Sequence, residues 1–176
     1  MPMPPELITV DGKVVAVRLA GHELFSLIGQ GGGTDINTWR VNTDGTNLKQ
    51  LSKGQRDFPS ECSLDSKWAY YINQSASRVE RVPIDGGTPE TVPGTPVAHS
   101  ITAGFCLDFS PDGKSVSFLT TTVETNAVNK IAVVPLDAGP QPQVRLVDPH
   151  PAISDAPRFT PDGKTFVYPI TKDGGG

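Results

Sequence analysis

The chain is poor in several things that would each point to a function. It has two cysteines, Cys62 and Cys106, in 176 residues, with neither the spacing of a metal site nor the density of a disulfide framework. Both read as buried small apolar side chains. Lys and Arg never cluster, and the formal net charge is -4, so no phosphate-tracking surface is present and nucleic acid is excluded as an expected partner. No run approaches the roughly 20 apolar residues that span a bilayer. Met1-Pro2-Met3-Pro4-Pro5 lacks the charged and apolar parts of a secretion signal, and the expectation is a chain without a membrane segment or address. Gly-x-Ser-x-Gly is absent, as is any grouping of Ser, His and carboxylate that reads as a triad. Gly29-Gln30-Gly31-Gly32-Gly33-Thr34 lacks the Lys-Ser/Thr of a phosphate loop and reads as a flexible inter-strand loop.

Turn formers, by contrast, are plentiful: 18 Gly and 17 Pro, against 36% hydrophobic and 19% charged residues. This balance fits an all-β globular chain and neither a helical nor a disordered one. The turn formers recur as a phrase. Ser110-Pro111-Asp112-Gly113-Lys114 returns as Thr160-Pro161-Asp162-Gly163-Lys164, and in worn form as Ser63-Leu64-Asp65-Ser66-Lys67 and Thr9-Val10-Asp11-Gly12-Lys13. The steps between the four Asp residues are 54, 47 and 50, a period in the range of propeller blades.

In the phrase, Pro111 and Pro161 preset φ, Asp65, Asp112 and Asp162 bond their own backbone, and Gly113 and Gly163 supply a positive φ. These are structural turn residues at a hairpin corner. The runs Ser115-Val116-Ser117-Phe118-Leu119, Thr165-Phe166-Val167-Tyr168 and Trp68-Ala69-Tyr70-Tyr71-Ile72 follow as second strands. A later phrase, Val82-Pro83-Ile84-Asp85-Gly86-Gly87 with its counterparts at 41–45 and 134–139, closes a third strand and turns into a short fourth. Each unit is thus a four-stranded antiparallel blade, and the chain is predicted to be a β-propeller with a partial ring of about three and a half blades. The expected blades are 6–51, 57–92, 104–147 and an incomplete 154–174, in one domain over 1–176.

The corner followed by an aromatic strand, with Val-Pro-Ile-Asp-Gly-Gly about twenty residues on, resembles the WD40-like (PD40) repeat of TolB-type β-propellers. Asp108-Phe109-Ser110-Pro111-Asp112-Gly113-Lys114 and Arg158-Phe159-Thr160-Pro161-Asp162-Gly163-Lys164 carry the likeness, which covers roughly residues 6 to 174. The run from Phe58 to Tyr71 is similar to propellers attached to bacterial serine/threonine kinases. The resemblance implies a bacterial, periplasmic or extracytoplasmic setting. It also implies a ring of more blades than the units visible, so the expectation is a fragment of a larger sensor or envelope protein, or a ring completed by self-association.

Aligning units on the corner places Glu61, Asp108 and Arg158 at one level of the innermost strands, which line the axial channel of this fold. Three charges there suit a polar ligand or a peptide terminus, or pair with each other as structural groups. The histidines His22, His99 and His150 lie in presumed loops and do not supply the convergent ligands of a metal centre. The reading is a non-catalytic module for protein, peptide or ligand recognition, with no catalytic residue, metal or cofactor. The alternatives are a propeller enzyme of lactonase or lyase type, with Glu61 and Asp108 among the ligands of a channel metal, and the substrate-gating propeller of a prolyl-oligopeptidase-like peptidase.

Overall fold

Sixteen strands and no helix make up the described part of the chain, residues 9–10, 13–14, 17–19, 22–28, 35–42, 44–95, 107–121 and 129–171 of a computed structural model. Three antiparallel sheets hold four strands each. The first is β3 (Val17–Leu19), β4 (His22–Ile28), β5 (Ile36–Asn42) and β6 (Lys49–Gln50). The second is β7 (Asp57–Cys62), β8 (Trp68–Asn73), β9 (Arg78–Pro83) and β10 (Glu90–Thr91). The third is β11 (Asp108–Phe109), β12 (Ser115–Thr121), β13 (Asn129–Pro135) and β14 (Arg145–Val147). A fourth pairs β15 (Arg158–Phe159) with β16 (Phe166–Val167). In every sheet sequential strands are neighbours, the meander of a propeller blade, giving three and a half blades.

The strands of the second and third sheets are apolar on both faces because each of these two sheets is covered twice. On β8 and β9, Tyr70, Ile72 and Val79 pack against Leu107, Phe109, Val116, Phe118, Ala132 and Val134 of the third sheet. The alternate residues Ala69, Tyr71 and Val82 pack the other way, with Leu51, which follows the first sheet, Cys62 and Ile84. The third sheet repeats this: Leu119, Ile131 and Val133 turn to Ile153, Phe159 and Phe166 of the last unit. The strand period of two therefore sorts successive residues to opposite neighbours. A side chain such as Phe118, with no exposed surface, contributes about 2–3 kcal/mol by its burial.

The three later corners share one geometry. Gly113 N–H donates to Ser110 O, Gly163 N–H to Thr160 O and Ser66 N–H to Ser63 O, each at 2.8 Å. Inside each turn one carboxylate oxygen accepts two bonds, Asp112 from Ser110 Oγ at 2.6 Å and Lys114 N at 3.0 Å, with Asp162 and Asp65 bonded alike. These bonds hold the Asp65, Asp112 and Asp162 carboxyls below the usual carboxylate range. Gly113 and Gly163 have φ of 69° and 70°, and Ser66 takes φ 57° at the same place. Neighbouring corners touch: a Cβ on Gly113 would lie 3.0 Å from Leu64 Cδ1, and one on Gly163 3.4 Å from Pro111 Cδ.

The start of the chain departs from the sequence expectation. Thr9-Val10 (β1) and Lys13-Val14 (β2) pair as a hairpin of their own, and the first four-stranded sheet turns its corner between Leu19 and His22, which face each other. The first Asp-Gly phrase is a generic two-residue hairpin and not the corner of that sheet. His22 accordingly begins β4 and is not a loop residue. The glycine-rich loop 29–34, His99 and Cys106 lie outside the described residues.

Candidate functional site

The first strands of successive blades, β7, β11 and β15, each carry one charged residue two positions before the corner: Glu61, Asp108 and Arg158. β11 and β15 lie side by side, as inner strands converging on an axis do. Arg158 joins the three charges. Its Nη1 donates to Leu107 O at 3.1 Å and lies 3.4 Å from Asp108 Oδ1 and 3.8 Å from Glu61 Oε2. Asp108 also accepts Phe159 N–H at 2.5 Å through Oδ2, so one carboxylate fixes both the side chain and the backbone of the next inner strand.

Glu61 owes its place to a β-bulge. The pairing of β7 with β8 slips between Pro59 and Glu61, so that Pro59 faces Tyr71 and Glu61 faces Tyr70; an inserted residue of this kind re-aims the side chains after it. The Glu61 side chain is 12% exposed, against 20% for Asp108 and 48% for Arg158. It accepts no hydrogen bond from the described residues, and its distance to Arg158 is too long for one. Burial pushes its carboxyl up to about 7; the Arg158 charge opposes this and the Asp108 charge adds to it. Beside it, burial raises the Cys62 thiol to about 12, which makes Cys62 an inert core thiol.

A second polar group lies deeper. Tyr71 O–H donates to Glu80 Oε2 at 2.5 Å, Arg78 Nε to Glu80 Oε1 at 2.6 Å, and Asn73 Nδ2 to Glu80 Oε1 at 3.3 Å. Asp57, 1% exposed, accepts Gly54 N–H at 2.7 Å through Oδ2, and its Oδ1 has no hydrogen bond of normal geometry among the described residues. Burial holds its carboxyl above the usual range. Between the first and second blades, buried Arg40 bonds Asp85 at 3.1 Å. Sequence reasoning missed these contacts, because they depend on cross-strand register and on which blades become neighbours.

His150 acts within its own loop: its N–H donates to Tyr168 Oη at 3.0 Å and its Nδ1 accepts Ala152 N–H at 3.1 Å. Among the described residues no group of three or more His, Cys, Asp and Glu side chains converges as a metal site, and no helix is long and apolar enough to cross a membrane. Asp35, Ile36, Gln55 and Arg56 line an open cleft of about 390 Å³ between the start of β5 and the entry to β7.

No family model matches the chain and no curated protein matches it in sequence. Solved structures share its fold. A protein described as TolB from Agrobacterium tumefaciens is 18% identical with a TM-score of 0.63, over 84% of this chain and 50% of that one. An oligogalacturonate lyase from Vibrio parahaemolyticus is 14% identical with a TM-score of 0.64, over 87% of this chain and 44% of that one. A protein described as a 6-phosphogluconolactonase from Bacteroides uniformis is 20% identical with a TM-score of 0.54, over 88% of this chain and 48% of that one. The likeness is one of β-propeller fold, and this chain spans about half the length of each of these proteins.

Proposed function

We propose that this β-propeller chain is a non-catalytic recognition module that receives a protein segment or polar ligand at its inner strands, within a larger sensor or envelope protein. The observation that carries the reading is the meeting of Glu61, Asp108 and Arg158 from three successive inner strands, with one carboxyl largely but not fully covered and lacking a hydrogen bond from the described residues. A buried polar group without a partner is costly. A ligand that supplies the missing bond offsets that cost.

The fold is also that of proteins named as a lyase and a lactonase, and fold does not choose among functions. In the enzyme reading Glu61 and Asp108 would hold a divalent ion. Against it, the guanidinium of Arg158 already lies beside both carboxylates and supplies the positive charge an ion would bring. The reading of a gate for a peptidase domain calls on sequence beyond this chain, and the likeness to kinase-attached propellers rests on residues 58–71 alone.

Selection of a random peptide library on the purified chain, counter-screened on Asp108→Asn and Arg158→Gln, tests the proposal. Enriched peptides that lose affinity for both folded variants support it. Turnover of a panel of esters, lactones and uronides that a single substitution of Glu61 or Asp108 abolishes overturns it in favour of the enzyme.

A further inference from the structure

Arg158 is anchored by one of its three nitrogens. Nη1 donates to Leu107 O and lies beside the two carboxylates, whereas Nε and Nη2 make no hydrogen bond to the described residues and the side chain is 48% exposed. A guanidinium presents five N–H donors in a planar fork that matches a carboxylate two bonds at a time. The fork is held in place by the backbone of the neighbouring inner strand, so little side-chain freedom is left to lose on binding. Glu61, beside it, has no hydrogen bond to the described residues that a ligand would have to break.

Resting on the recognition reading above, we infer that the ligand group is a carboxylate: Arg158 grips it through Nε and Nη2, and Glu61, in its protonated form, donates a further hydrogen bond to it. Asp108 stays on the protein side, occupied by Phe159 N–H and Arg158 Nη1, and keeps the fork oriented. The groups acting on Glu61 are Arg158 from β15, Asp108 from β11 and the Cys62 thiol beside it on β7; its cross-strand partner on β8 is Tyr70. Ionisation of Glu61 removes a donor and adds a second negative charge beside Asp108, so affinity for an acid falls as pH rises through neutrality. A peptide C-terminus and a small organic acid share this chemistry.

The chain, labelled with ¹⁵N, is titrated with N-acetyl-trialanine, its C-terminal amide, acetate, and trialanine amide with a free amino group, reading at pH 6 and pH 8 the backbone amide resonance of Phe159, whose N–H bonds Asp108 beside the fork and is present in every variant. The acid is expected to bind saturably at pH 6, about fivefold more weakly at pH 8, for a coupling of one pKa unit to Glu61, and about tenfold more tightly than its amide. Glu61→Gln, which keeps the donor without the charge, retains the pH 6 affinity at pH 8, and Arg158→Gln and Arg158→Lys both lose the acid. An equal response to acetate assigns a small acid, and a response to the peptide acid alone assigns a C-terminus; both support the carboxylate. Equal binding of acid and amide, or affinity that rises with pH, overturns it. Binding of the free-amino peptide lost in Asp108→Asn overturns the carboxylate and leaves the recognition site standing. Silence of the resonance towards all four probes also overturns the carboxylate, and the peptide selection then decides recognition by itself.

Discussion

Arg158 reaches from the last sheet to the neighbouring inner strand, its Nη1 3.1 Å from Leu107 O and 3.4 Å from Asp108 Oδ1. The contact ties two blades at the axis as well as placing a charge there. Because the arginine is half exposed, its ion pair with Asp108 is screened and contributes no more than about 1 kcal/mol. A double-mutant cycle of Asp108→Asn and Arg158→Gln by urea unfolding is expected to give a coupling of that size. A coupling above about 3 kcal/mol would mark the pair as a buried structural bridge.

Glu61 gives a pH signature. The folded protein holds a proton at Glu61 up to about 7 while the unfolded chain releases it near 4.5. The folded state therefore binds more protons across that window, and stability falls as pH rises from 4.5 to 7, by up to about 3 kcal/mol from this group, then levels. In Glu61→Gln the contribution of this group is expected to vanish, leaving only the fall that the raised Asp57 carboxyl supplies. A wild-type profile that superimposes on that of the variant between pH 4.5 and 7 would contradict the assignment.

Ser66 stands where two later corners have glycine, at φ 57°. A left-handed conformation costs a non-glycine residue about 1–2 kcal/mol, and glycine gives part of this back through the entropy of the unfolded chain. Ser66→Gly is expected to stabilise the protein by about 0.5–1 kcal/mol, measured by thermal or urea unfolding. Destabilisation would mean that the corner is held by something the shared hydrogen-bond pattern omits.

Tyr71 is 1% exposed and its hydroxyl serves the buried Glu80. Tyr71→Phe keeps the packing and removes one donor from a buried carboxylate, with an expected loss of about 1–3 kcal/mol. Since Arg78 and Asn73 still bond Glu80, the variant stays folded, and a loss below 0.5 kcal/mol, roughly the error of such measurements, would show that water replaces the hydroxyl.

The later blades were legible in the sequence because Pro111-Asp112-Gly113 and Pro161-Asp162-Gly163 are corners written in turn chemistry, followed by β-branched and aromatic strands. The first blade was misread at its start. Val10-Asp11-Gly12-Lys13 satisfies the rule for any tight hairpin, whereas the real corner, between Leu19 and His22, carries no Pro-Asp phrase. The repeat alignment put Glu61, Asp108 and Arg158 at one level, and they meet. What no alignment shows is the bulge before Glu61, the lack of a donor to its carboxyl among the described residues, or the Tyr71–Glu80 bond, which all follow from register and burial.

On the recognition reading proposed above, partners are expected to meet this chain at its inner strands. Photo-crosslinking with peptides enriched on the wild-type chain, followed by mass spectrometry of the adducts, tests it most directly. Adducts are expected within Asp57–Cys62, Asp108–Phe109 and Arg158–Phe159, the inner strands of three successive sheets. Adducts confined to the outer strands Glu90–Thr91 and Arg145–Val147 would contradict it.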